Sequence, residues 1–208
     1  MQQPTLAPPC ARCEMDHTAA KMLRFATDAG ERGWHQIQPM AITVMATDRD
    51  EPRIRAATDA DVSVIEQIVE QASRHYIPRI GKPPAPMLDD YAVRVSEGVV
   101  WVIEEGSTIA GIIVLLPTPD YLLLDNIAVA PARQGTGLGR QLLAFAEAEA
   151  LRRGYNEIRL YTHEKMTENQ RLYAAIGYEE IGRGTEAGYE RVFMRKQLTG
   201  ETNKSGGA

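Results

Sequence analysis

Gln134-Gly135-Thr136-Gly137-Leu138-Gly139-Arg140 lies between an apolar run and an amphipathic stretch. The run, Tyr121-Leu122-Leu123-Leu124-Asp125-Asn126-Ile127-Ala128-Val129, reads as a buried strand. Leu138 to Arg153 reads as a helix, with Leu138, Leu142, Leu143, Ala146, Ala150 and Leu151 on its apolar side. Three glycines at alternate positions let the chain turn tightly and bring several N–H groups to one point. The helix adds its unpaired first-turn donors and the positive end of its dipole. Such a loop binds phosphate oxygens.

The loop lacks the Gly-Lys-Ser/Thr ending of a nucleotide-hydrolase P-loop. Its glycines fall every second residue, so it also fails the Gly-x-Gly-x-x-Gly dinucleotide fingerprint. The pattern Gln-x-x-Gly-x-Gly, preceded by Val129-x-Pro131, resembles motif A of the GCN5-related N-acetyltransferases (GNAT). In that family the loop holds the pyrophosphate of acetyl-coenzyme A. The resemblance therefore implies that Gln134, Gly135, Thr136, Gly137, Leu138, Gly139 and Arg140 contact the coenzyme. Arg133 and Arg140 flank the loop; each is either a phosphate contact or a solvated surface charge.

Downstream, Asn169-Gln170-Arg171-Leu172-Tyr173-Ala174-Ala175-Ile176-Gly177-Tyr178 resembles motif B, whose core is Leu-Tyr-x-x-x-Gly-Phe/Tyr. By that resemblance Tyr173 lies beside the coenzyme sulfur and acts as general acid. Attack on the thioester gives a tetrahedral intermediate that expels a thiolate. A phenol with pKa about 10 can protonate a thiol with pKa about 8.5 as it leaves. Asn169 lies one helical turn before Tyr173. Many relatives place an Asn seven residues before the Tyr, on the pantetheine arm. This chain has Met166 there, so Asn169 either supplies that contact from the next turn or is plain helix surface.

Amine transfer needs a route to a neutral amine, because an ammonium has no lone pair. In many relatives an acidic residue near Asp125 holds the water that takes the proton. Other relatives use a Glu on the next strand, where this chain has Tyr161. That leaves Asp125, Glu164, Glu168 and His163 as candidate bases, with Asp125 preferred. In the family the two central parallel strands splay, and the pantetheine arm pairs with the freed edge. Ile127, Ala128 and Val129 are the corresponding main-chain contacts, and an amide there can polarise the thioester carbonyl. The acceptor is expected along Arg74-His75-Tyr76-Ile77-Pro78-Arg79-Ile80-Gly81-Lys82. The titratable residues of that loop either select an acidic substrate or form a solvated surface.

Working outward, Arg53 to Ala57 reads as a strand, and Thr58-Asp59-Ala60-Asp61 as a capping-box start to a helix reaching about Arg74. A proline-rich loop follows, then a helix from Met87 to Ser96. Val99–Ile103 and Ile109–Leu116 form a hairpin, and Pro117–Asp120 turns into the strand ending at Val129. After the loop and its helix come a strand at Glu157–Thr162, a helix at Thr167–Ile176 and a final hairpin, Tyr178–Ile181 with Glu190–Met194. The order is βααβββαβαββ. It is the order of the GNAT fold, an α/β (α+β) architecture with a mixed, mostly antiparallel, twisted sheet of about seven strands flanked by helices. Three adjacent strands without intervening helices argue against a doubly wound sheet.

The chain has 208 residues and a formal net charge of -5, which argues against nucleic acid as the main partner. No apolar run is long enough to span a membrane, and the basic-then-apolar order of a secretory signal is missing. A cytoplasmic location is the expectation. Residues 1–50 read as a separate extension, flexible or partly helical, with one candidate helix at Thr18–Ala29 and a polar linker around Ala46–Pro52. Translation from Met45 is one reading of that extension. Residues 51–198 read as the acetyltransferase domain and 199–208 as a disordered tail. Cys10 and Cys13 sit near His17, but no second Cys pair completes a zinc site, and Pro8-Pro9 opposes the strand a redox motif needs. They read as free thiols, with no metal.

With no cysteine in the domain, a cysteine-linked acyl-enzyme is excluded there. The expected activity is direct acetyl transfer from acetyl-coenzyme A, as co-substrate, to an unidentified amine in a ternary complex. The alternatives are a coenzyme A sensor on the same fold, or an acyltransferase with another acyl group or an oxygen acceptor. The resemblance also allows a homodimer.

Overall fold

The computed structural model describes residues 51–199. The strands are β1 (Arg53–Ala56), β2 (Val100–Glu105), β3 (Thr108–Pro117), β4 (Leu122–Val129), β5 (Glu157–His163), β6 (Glu179–Glu186) and β7 (Tyr189–Gln197). They form one seven-stranded sheet in the order β1-β2-β3-β4-β5-β7-β6. Only β4 and β5 run parallel; the other neighbours are antiparallel. The helices are α1 (Val62–Ser73), α2 (Ile77–Ile80), α3 (Tyr91–Ser96), α4 (Leu138–Arg152) and α5 (Thr167–Ala175). The candidate helix at Thr18–Ala29, Cys10 and Cys13, and the tail beyond Thr199 lie outside the described residues. Among the described residues no helix is long and apolar enough to cross a membrane.

Each face of the sheet carries its own apolar layer. Leu138, Leu142, Leu143 and Ala146 of α4 pack on Ile113, Leu115, Leu122, Leu124, Ile158 and Leu160. On the other face Ile65, Ile68 and Val69 of α1, with Tyr91 and Val95 of α3, cover Val100, Val102, Ile112 and Val114. β2 and β3 are buried on both sides, so their sequences run apolar without alternation.

The expected element order holds with two local corrections. The proline-rich segment contains α2, a single turn with Pro78 near its start, where the missing N–H costs nothing. The helix expected over Met87–Ser96 is shorter. A 3-10 turn covers Ala85–Leu88, and α3 starts only at Tyr91, because the Asp90 carboxylate accepts the Val93 N–H as an N-cap. Within α4, Leu151 is exposed rather than inward. Glu149 turns in instead, held by Arg152 at 2.6 and 2.7 Å and by Arg153 at 2.6 Å.

Two features set β4 apart from its neighbours. It pairs with β5 only through Leu122, Leu123 and Leu124, opposite Ile158, Arg159 and Leu160. Beyond Leu124 the parallel strands part, and the β4 edge is left unpaired on that side. Opposite β3 the register slips: Leu124 faces Leu115 while Asn126 faces Val114. Asp125 is thus the extra residue of a bulge. The bulge switches the faces of β4, since Leu124 belongs to the α4 layer and Ala128 to the α1 layer.

The start of the domain is pinned by charge. Arg55 donates to Asp61 at 2.7 and 3.0 Å and to Glu104 at 2.9 and 2.6 Å. The Thr58 N–H and hydroxyl both reach Asp61 at 2.8 Å. The Arg55 guanidinium holds the Asp61 carboxyl well below its ordinary range, and the Thr58 bonds add to this. A depressed carboxylate pKa stabilises the fold fully above the ordinary value of about 4 and loses that contribution as pH falls toward the folded value. Asp61→Asn is expected to cost about 1–3 kcal/mol at neutral pH, and less as pH falls below about 4. Denaturant titrations at pH 7 and pH 3 check this; an equal loss at both would refute the charge origin.

Candidate active site

A cleft of ≈ 410 Å³ opens where β4 and β5 part. β4 contributes Leu124 to Val129, β5 contributes Tyr161 to His163, and the α5 region contributes Met166, Glu168, Asn169 and Tyr173. Tyr76, Ile80 and Pro84 close it from the segment after α1, and Tyr189 and Arg191 from β7.

The glycine loop meets this cleft at Gln134, whose side-chain amide donates to the Val129 carbonyl at 3.1 Å. Gly135 and Gly137 have φ of 80° and 95°, a region that side chains strain to occupy. Nothing lies within 4 Å of where their Cβ atoms would stand. The main-chain N–H groups of Gly135, Thr136, Gly137, Leu138 and Gly139 donate to no main-chain acceptor among the described residues. Gly137 is the N-cap of α4, a helix of 15 residues. Free donors, open space and a helix start together fit a diphosphate. The loop's side chains contribute less. Leu138 is buried in the core, so only its N–H is available. The Thr136 hydroxyl donates to the Arg133 carbonyl at 2.7 Å. Arg133 is paired with Glu105 at 3.1 Å, whereas Arg140 has no ion pair among the described residues.

Tyr173 is 6% exposed and reaches the cleft, and its hydroxyl makes no hydrogen bond among the described residues. Burial pushes its phenol pKa up, so it stays protonated. Asn169 shares the cleft wall with Met166. Its side-chain amide donates toward the Met166 sulfur at 3.6 Å, and its carbonyl faces the Tyr76 hydroxyl at 3.4 Å.

Across the cleft, Asp125 accepts a hydrogen bond from the Tyr161 hydroxyl. Burial first, then the Asp125 charge, push the Tyr161 pKa up to about 12. The other candidate bases are engaged or outside. Glu168 is ion-paired with Arg79 at 2.5 Å, and that bond holds its pKa down to about 2. Glu164 is exposed and does not line the cleft. His163 is kept neutral by burial, but its Nδ1 already accepts the Lys165 N–H at 3.2 Å. Its second nitrogen therefore carries the hydrogen and cannot accept a proton in that tautomer.

The cations of the stretch expected to receive the acceptor are bonded to groups outside it. Arg74 pairs with Glu70, and Arg79 with Glu168. Lys82 donates to the Gly188 carbonyl at 2.6 Å and stacks 3.7 Å from the Tyr189 ring centre. Of the expected acceptor stretch, His75, Tyr76 and Ile80 line the cleft, whereas sequence reading missed Arg191 and Tyr189.

An acetyltransferase (GNAT) domain model matches residues 96–180, which carry β4, the loop, β5 and Tyr173. Mouse N-alpha-acetyltransferase 80 is 35% identical over 65 residues, covering 31% of this chain and 19% of that protein's own length. The ribosomal-protein-S18-alanine N-acetyltransferase of Escherichia coli shares the fold, with TM-score 0.59 and 22% identity over 73% of this chain and 98% of that one. So does the PaiA N-acetyltransferase of Thermoplasma acidophilum, solved in complex with coenzyme A, with TM-score 0.58 and 19% identity over 71% of this chain and 99% of that one. Residues 96–180 thus match a GNAT acetyltransferase domain, and the splayed seven-stranded sheet has the GNAT fold.

Proposed function

We propose that the chain transfers the acetyl group of acetyl-coenzyme A directly to an amine. The observation that carries this reading is the cleft itself, with a protonated phenol on one wall and a carboxylate on the other. The neighbour solved with coenzyme A supports the choice of coenzyme. Acetyl-coenzyme A supplies an activated carbonyl carbon for the amine to attack. The N–H groups of residues 135–139 hold its diphosphate, and the freed edge of β4 at Ile127, Ala128 and Val129 aligns its arm. Asp125, steadied by Tyr161, draws in the ammonium and orients the water that accepts its proton. Tyr173 donates its hydroxyl proton to the departing sulfur. Burial raises the pKa of a thiol as it does that of a phenol, so the proton transfer stays close to balanced.

Thiol release from acetyl-coenzyme A, followed with a panel of amines, tests the reading. Amine-dependent release that yields the acetamide is expected. Coenzyme binding without amine-dependent release would favour a sensor on the same fold.

A further inference from the structure

Nothing in that chemistry uses Arg191, a cation buried at the acceptor end of the cleft. It stands on β7 opposite His163 and is 8% exposed. Its guanidinium carbon lies 3.6 Å from the centre of the Tyr161 ring, the phenol that holds Asp125. Its Nε and Nη1 are buried and have no hydrogen-bond partner among the described residues. Glu186 approaches Nε to 3.2 Å but out of line for a hydrogen bond, and its own side chain is 59% exposed. A buried guanidinium with unmade bonds is costly to the fold and is a ready receptor for a planar anion.

We propose that Arg191 binds a carboxylate on the acceptor, so that the substrate is a small amino carboxylate. This deepens the amine-transfer reading above and rests on it. Tyr161 touches both charged groups: its hydroxyl meets Asp125 and its face meets Arg191. A zwitterion placed against that ring offers its ammonium to Asp125 and its carboxylate to the Arg191 guanidinium. The wall of the cleft favours a compact molecule. Lys82 bonded to Gly188, and the Tyr189 hydroxyl donating to the Pro83 carbonyl at 2.7 Å, tie the segment after α2 to the β6–β7 turn.

The test compares amino acids with their own carboxamides and with the matching amines that lack the carboxylate, by thiol release from acetyl-coenzyme A. The carboxamide has the less basic amine, so intrinsic reactivity at neutral pH favours it over the acid. The wild-type enzyme is nonetheless expected to prefer the acid by about 10- to 100-fold in kcat/KM. Arg191→Gln should bring that ratio close to one, mainly through KM for the acid, and Arg191→Lys should restore part of it. A wild-type enzyme that turns over amide and acid equally would overturn the proposal, and that comparison requires no variant to fold. A preference that survives Arg191→Gln would overturn it as well. A dipeptide amide beginning with Asp, beside its Asn counterpart, tells whether a side-chain carboxylate serves; preference for the dipeptide over every free amino acid would contradict the small acceptor. Thiol release with no amine at all would instead bring down the amine-transfer reading itself.

Discussion

Replacing Tyr173 by Phe is expected to lower kcat by about 100-fold or more, with little change in KM for acetyl-coenzyme A. The substitution removes one oxygen and leaves the ring in place. The Tyr173 ring packs 5.9 Å, centre to centre, from that of Tyr178, and Phe keeps that contact. Because the hydroxyl makes no hydrogen bond among the described residues, its loss leaves no protein group stranded. Stability should therefore hold while the chemical step slows. Steady-state kinetics with a melting curve for each protein separates the two. An unchanged kcat at every pH would remove Tyr173 as the acid.

Gly137→Asp is expected to weaken coenzyme A binding by about 10- to 100-fold. The cause is not a clash with the protein, since no atom lies within 4 Å of the Cβ position. Two other effects act. The backbone at φ 95° must be held against the preference of a side chain, which disturbs the donors beside it. The new carboxylate also stands at the start of α4, where the diphosphate needs positive potential. Calorimetry giving the wild-type affinity would contradict the assignment of this loop.

The element order along the chain and the glycine loop were legible because apolar period and turn chemistry are local. Leu138, Leu142, Leu143 and Ala146 announce the buried face of α4 by spacing alone. Asp90 was misread for a physical reason. Inside an apolar-periodic segment an acidic residue looks like helix surface, while its short carboxylate does better as a cap. The site was half legible. Tyr173 and Asp125 follow from motif position, and the structure puts both on the one cleft. The partnership of Asp125 with Tyr161 depends on the bulge in β4, which is set by pairing with β3 and leaves no mark in the local sequence. Arg191 was hidden by register: only the pairing of β5 with β7 brings it beside Tyr161. The roles of Arg79 and Lys82 were illegible for the same reason, because their partners lie far along the chain at Glu168 and Gly188.

On the proposed function, main-chain donors at residues 135–139 grip a diphosphate and so carry a thioester between Tyr173 and Asp125. Titration calorimetry with coenzyme A and with pantetheine, which lacks the diphosphate, tests it most directly. Coenzyme A should bind about 100-fold or more tighter than pantetheine. Equal affinities, or no coenzyme A binding at all, would contradict it.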